Sequence, residues 1–202
     1  MTLYRAPDGK NRCMWAGAAP GFLAYHDTEW GFPVDDDQRL FEKLCLEGFQ
    51  SGLSWRTILT KRENFRAAFA NFEIDAVARF NSRSVDRLLG DAGIIRHRGK
   101  IEAAINNAKR AQELIAETGS LAAYAWSFEP DPASLPEPQT LTTSEQSKAL
   151  SKDLKRRGWK FVGPTTMFAF MQAMGLVNDH SIGCVVRSRV AKARTKFSSP
   201  AK

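Results

Sequence analysis

Between Thr165 and Met174 the chain is apolar on nearly every side of a helix, with Gln172 the exception. A helix of that composition persists in water only if other elements surround it, so it must be central. Pro164 occupies the favoured first helical position. The surrounding sequence is helical in pattern as well. Asp35, Asp36 and Asp37 put three acids in a first turn, and Leu40, Phe41, Leu44 and Cys45 follow at helical spacing. Gly48 and Gly52 are expected to break that helix, and Ser54 to cap a second one carrying Trp55, Ile58, Leu59 and Phe65 on one side. A short helix is expected after Ser84, ending before Gly93. The longest covers residues 99–117 and ends at Gly119. Pro130, Pro132, Pro136 and Pro138 fall in one stretch and mark an irregular connection, followed by a helix over 144–157. No strand alternation and no internal repeat stands out. The fold class is all-α.

The 202 residues suit one compact unit, and no apolar run approaches the ~18–20 residues of a membrane span. Met1–Lys10 lacks the apolar core of a signal peptide. Three cysteines are too few and too scattered for a disulfide framework, which makes a reducing, cytoplasmic setting the default. The net charge of +7 is unevenly spread. Six basic residues (Arg187, Arg189, Lys192, Arg194, Lys196, Lys202) and no acid follow residue 186, and without them the balance is 23 to 22. We therefore expect a single domain over 1–186 and a flexible basic tail over 187–202. The excess suits a polyanion, but a solvated tail explains it equally well.

Four clusters could carry chemistry. His180 and Cys184 lie four apart and can share a metal on one helical face, and Cys13 with His26 forms a looser pair. Together they match the two-thiolate, two-imidazole set of tetrahedral zinc, although two buried thiols and two ordinary histidines fit the spacing too. Trp15, Phe22, Tyr25, Trp30 and Trp55 crowd the first 55 residues of the chain. Aromatics in loops can stack a planar ligand such as a nucleobase, or simply build a second small core. Glu47 is the one acid in the run from Cys45 to Trp55. It sits at a helix C-terminus, where the dipole disfavours it, facing a glycine-hinged loop. Finally, residues 154–166 read as a basic helix end, a tight hairpin and a helix start. Such a helix-hairpin-helix holds a phosphate on exposed amides near Lys160, Gly163, Thr165 and Thr166 without reading bases. Cys45 reads as core and His97 as a polar turn.

As an ordered set, several segments resemble the bacterial type I 3-methyladenine DNA glycosylases, a branch of the helix-hairpin-helix glycosylases. They are Arg12 to Trp15, Ala24 to Gly31, Cys45 to Trp55, Asp91 to Ile101, and Phe161 through His180 to Cys184. The resemblance implies one structural zinc on Cys13, His26, His180 and Cys184, clipping the two chain ends together. It implies a flipped-base pocket from Glu47, Tyr25 and Trp55, ringed by Trp15, Phe22 and Trp30, with Gly52-Leu53 entering the duplex. Its substrate would be 3-methyladenine in double-stranded DNA, taken by a monomer. Phe22 departs from the tyrosine the family carries. Asp179 is read as structural, and Thr165 stands where lyase relatives place a lysine nucleophile, so strand cleavage is not expected. The main rival is a zinc-clipped DNA-binding module without catalysis. A zinc hydrolase is weaker, because four protein ligands leave no position for water.

Overall fold

The computed structural model describes residues 2–200. Two short antiparallel strands open the chain, β1 (Leu3–Arg5) and β2 (Asn11–Cys13), paired through Tyr4 and Arg12. This hairpin is absent from the sequence reading because three-residue strands are too short to show alternation. Every later α or β element among the described residues is a helix: α1 (Phe22–Thr28), α2 (Asp37–Gln50), α3 (Trp55–Thr60), α4 (Arg62–Ala68), α5 (Ile74–Ala78), α6 (Ser82–Gly90), α7 (Arg98–Thr118), α8 (Leu121–Trp126), α9 (Glu145–Arg156), α10 (Pro164–Ala173) and α11 (Val185–Lys196). The protein is thus mostly helical, and no helix is long and apolar enough to cross a membrane.

The apolar helix is central as its composition requires. Met167, Phe168, Phe170, Met171 and Ala173 of α10 are buried, and α10 packs on α9 and α2. Gln172 is only half-buried, and what it faces matters below. Two of the three acids at the start of α2 divide the capping work. Asp36 caps α2 by accepting from the Arg39 amide, while the Asp37 carboxylate accepts from the amides of Leu121 and Ala122 and so caps α8. Caps also set the other starts: Ser54 for α3, Asn81 for α6, Ser144 for α9, and His97, whose Nδ1 accepts from the Lys100 amide, for α7.

Two expectations need correction. Gly48 does not break α2 but lies inside it, and a Cβ there would meet the Phe161 Cβ at 3.4 Å. Its missing side chain serves a close approach of the 157–163 hairpin, and the helix ends two residues later, before Gly52 at φ +76°. The segment from Arg187 to Lys196, read from charge as a flexible tail, is helix α11. Val186 and Val190 are buried along it, and Arg194 pairs with Glu129, so apolar anchoring outweighs the high charge that suggested a solvated end. Lys202, the last of the six basic residues, lies outside the described residues.

Candidate active site and metal cluster

Glu47 occupies the last turn of α2 and is buried, 6% exposed. A carboxylate at that depth needs a partner, and α2 supplies it one turn earlier: Lys43 Nζ lies 2.8 Å from Glu47 Oε1. The same ammonium donates to the Tyr25 hydroxyl at 2.8 Å and stands 3.5 Å from the centre of the Trp55 ring. Burial alone would lower the Lys43 pKa, but the opposing charge of Glu47 and its bonds to Glu47 and Tyr25 win and hold it above the usual lysine value. Burial raises Tyr25, keeping the phenol neutral.

Glu47 lines an open cleft of about 290 Å³ with Trp15, Phe22, Tyr25, Trp30 and Trp55. The five aromatics singled out in the sequence therefore come together around the one acid. Trp55 and Tyr25 are tilted neighbours with ring centres 5.4 Å apart, and the Trp55 indole N–H is buried without an acceptor among the described residues. Trp15 meets Phe22 edge-on at 5.9 Å and Trp30 edge-on at 5.0 Å. The two readings of the aromatic crowd both hold. Tyr25 and Trp30 belong to the core, while Trp15, Phe22 and Trp55 stay partly open to the cleft.

Polar cleft residues were missed in the sequence. Gln50, Gln139 and Gln172 all line the opening. Buried Asp179 accepts from the Gln139 amide, from Gln139 Nε2 and from Gln172 Nε2, so it holds two of those glutamines in place. Gln172 carried a signal, as the one polar residue beyond the first turn of an apolar helix. Lys43 carried one too, four residues before Glu47 on a buried helix face. Gln139 carried none, because it lies in the proline-rich connection.

Below the aromatic wall, Cys13, His26, His180 and Cys184 are all buried, and their ligand atoms lie within 4.8 Å of one another. His26 Nε2 and His180 Nδ1 are 3.2 Å apart, Cys184 Sγ is 3.6 Å from His26 Nε2 and 3.7 Å from His180 Nδ1, and Cys13 Sγ is 3.7 Å from His180 Nδ1. The outward nitrogens are occupied: His26 Nδ1 is 2.7 Å from Asp27 Oδ1, and His180 Nε2 is 3.0 Å from the Trp30 carbonyl oxygen. Asp27 is in turn gripped by Arg12 of β2. Both imidazoles are thus turned so that their inner nitrogens face the two sulfurs, as outer partners of metal-binding histidines do. The cluster is tied to the cleft through Trp15 and Trp30, whose rings contact His26 at 5.1 Å and His180 at 4.7 Å.

A third region joins the cleft from the side. The chain after α2 exposes Leu53, 41% accessible, and Lys100 of α7 donates to the carbonyls of Phe49 and Ser51, fixing that loop's root. Asn107, also on α7, donates to the Lys160 carbonyl and accepts from the Lys160 amide, each at 2.9 Å, pinning the 157–163 hairpin. Gly163 caps α10 with no side-chain bond to its first turn, and Lys160 and Thr165 are exposed there while Thr166 is half-buried.

Solved DNA glycosylases share this helical architecture. One is a tyrosine-to-phenylalanine variant of 3-methyladenine DNA glycosylase I in complex with 3-methyladenine. It superposes with a TM-score of 0.81 at 36% identity, over 87% of this chain and 96% of that one. The chain belongs to the methyladenine glycosylase family, whose pattern matches residues 15–188. It is 49% identical over 177 residues to DNA-3-methyladenine glycosylase 1 of Escherichia coli K12, covering 86% of this chain and 95% of the relative. It is 47% identical over 179 residues to the DNA-3-methyladenine glycosylase of Haemophilus influenzae, covering 86% and 96%.

Proposed function

We propose that this protein is a monofunctional DNA-3-methyladenine glycosylase of base-excision repair. The observation that carries the proposal is Glu47, buried and ion-paired at the floor of an aromatic cleft, in a member of this family. An adenine methylated at N3 is cationic while attached to its sugar, so the bond from C1′ to N9 is already weakened. When it breaks, the electron pair goes to N9 and neutralises the base. Water adds to C1′ and gives its proton to solvent. The protein's task is then selection and exposure of the nucleotide more than acid catalysis. Trp55 and Tyr25 offer electron-rich faces to the flipped base, and Glu47 accepts from its exocyclic amine. Trp15, Phe22 and Trp30 close the cleft around it. The open N-terminus of α10, with Gly163, Thr165, Thr166 and nearby Lys160, takes a backbone phosphate as the hairpin of a helix-hairpin-helix. Leu53, presented beside Gly52, fills the gap in the duplex. No amine stands at Thr165 to form a Schiff base, which supports release without strand cleavage.

Zinc fits the cysteine–histidine cluster. Tetrahedral zinc with Zn–N of about 2.0 Å and Zn–S of about 2.3 Å separates its ligands by about 3.3 Å between nitrogens and about 3.5 Å between nitrogen and sulfur. Four of the six separations, 3.2 Å and 3.6–3.7 Å, match that frame, and all six lie within 4.8 Å. With four protein ligands the ion supplies cross-linking and no open position. It would hold β2, α1 and the start of α11 under the aromatic wall of a single domain.

Incubation of the protein with methylated duplex DNA, followed by chromatography of the released bases, tests the function. 3-Methyladenine should be the main product, with strands intact until alkali is added. Duplex binding with no base released would instead favour the non-catalytic DNA-binding reading.

The basic C-terminal segment should act on affinity and not on base choice. Arg187 and Arg194 are committed to the Asn178 and His180 carbonyls and to Glu129, whereas Arg189, Lys192 and Lys196 are exposed. Converting Lys192 and Lys196 to Ala should reduce the slope of log affinity against log salt by about 2, at about 0.9 per phosphate contact. The profile of released bases should stay the same, and a changed profile would refute this role.

A further inference from the structure

Lys43 has no part in the function proposed above, yet it touches three of the residues that carry it. Its ammonium is 2.8 Å from Glu47 Oε1, 2.8 Å from the Tyr25 hydroxyl and 3.5 Å from the Trp55 ring centre, and the side chain is buried. It does not line the cleft. Lys43 lines a smaller adjoining cavity with Glu29, Arg39, Glu42, Arg62 and Arg66, and Tyr25 and Trp55 form walls of both spaces. The ammonium therefore belongs to the adjoining cavity, which shares Tyr25 and Trp55 with the cleft.

That placement has an electrostatic consequence. A cleft built from an unpartnered carboxylate and two electron-rich rings would favour a cation through its charge and through the ring faces. Here one positive charge already neutralises Glu47 and already sits on Trp55. Glu47 Oε2 has no donor among the described residues, so the acceptor for an exocyclic amine is kept while the net charge of the pair is zero. In the adjoining cavity Arg62 pairs with Glu29 and Arg66 with Glu42, which leaves Arg39 as the excess charge, so that cavity does not restore the negative charge.

We propose that Lys43 is a specificity-determining residue that lowers the charge selectivity of the cleft, so that bases are chosen more by shape and hydrogen bonding than by positive charge. This rests on the cleft being the base site. The test measures binding of two small ligands in mildly alkaline buffer: 3,9-dimethyladeninium, a cation whose second methyl replaces the sugar carbon, and 3-methyladenine, which is uncharged there. Lys43→Met, similar in length and uncharged, should bind the cation more tightly relative to the neutral base by about thirtyfold, the scale of a single desolvated cation–π contact. Lys43→Arg should keep the wild-type ratio. Because the comparison is a ratio, general loosening of the cleft cancels. An unchanged ratio in folded Lys43→Met overturns the proposal, and Lys43→Gln gives the same decision should the methionine variant not fold. Wild-type protein that binds neither ligand would remove the base-site reading itself, and this inference with it, an outcome distinct from binding with an unchanged ratio.

Discussion

Glu47→Gln should release 3-methyladenine roughly ten- to hundredfold more slowly than the wild-type protein while binding undamaged duplex normally. The substitution removes a charge-assisted bond to the base, worth about 1.5–3 kcal/mol, and 1.4 kcal/mol is a factor of ten. In the function proposed above, duplex affinity belongs to the hairpin and the basic helix α11, so it should not change. The ion pair adds a second effect. Lys43 is only 5% exposed and 2.8 Å from Glu47, so the variant leaves a buried ammonium facing a neutral amide. Removing one partner of a buried pair costs about 3–5 kcal/mol, less here because the glutamine oxygen still accepts a hydrogen bond. The melting temperature should therefore fall by several degrees. Combining Glu47→Gln with Lys43→Met should recover most of that loss and leave base release slow. A double variant that regained wild-type release would show that Glu47 acts only through stability, and unaltered release in the single variant would remove it from the base site.

Cys184→Ser should lose zinc and a large part of the protein's stability. The cluster joins residues 167 positions apart, Cys13 and His180, through buried ligands. Closing a loop of that length restrains the unfolded chain by about 5 kcal/mol on the entropy scale used for disulfides. At roughly 2–4 °C per kcal/mol for a domain of this size, the melting temperature should drop by roughly 10–20 °C. Atomic emission on purified protein should give one zinc per wild-type chain and much less for the variant. Cys45→Ala serves as the control, since Cys45 is buried in α2 and lies outside the cluster, so it should retain the metal. Stoichiometric zinc in Cys184→Ser would dismiss the assignment. Base release should decline along with the metal, because Trp15 and Trp30 lean on His26 and His180.

Helical periodicity revealed most of the fold. Ser54, Gly119 and Pro164 announce their helix ends through local chemistry, and each does what its neighbours in sequence require. Gly48 misled for the same reason. Local chemistry makes glycine a breaker, while its role here depends on Phe161, more than a hundred residues away. Charge misled over α11, because a tally of arginines and lysines ignores that Val186 and Val190 share one face and find a core to enter.

The chain's order of residues determined its helical class, the residue types available for a metal and a base, and the helix starts, all of which depend on spacing within a few turns. Only the tertiary structure decided what those residues do together. Cys13 meets His180 because the two chain ends fold onto one another, Lys43 of α2 joins Glu47 to Tyr25 because α1 folds against it, and Gln139 reaches the cleft because Asp179 holds it there. Such meetings follow from packing, where one contact at a distance outweighs the local preference. A sequence states local preferences directly and distant contacts only through the fold they produce.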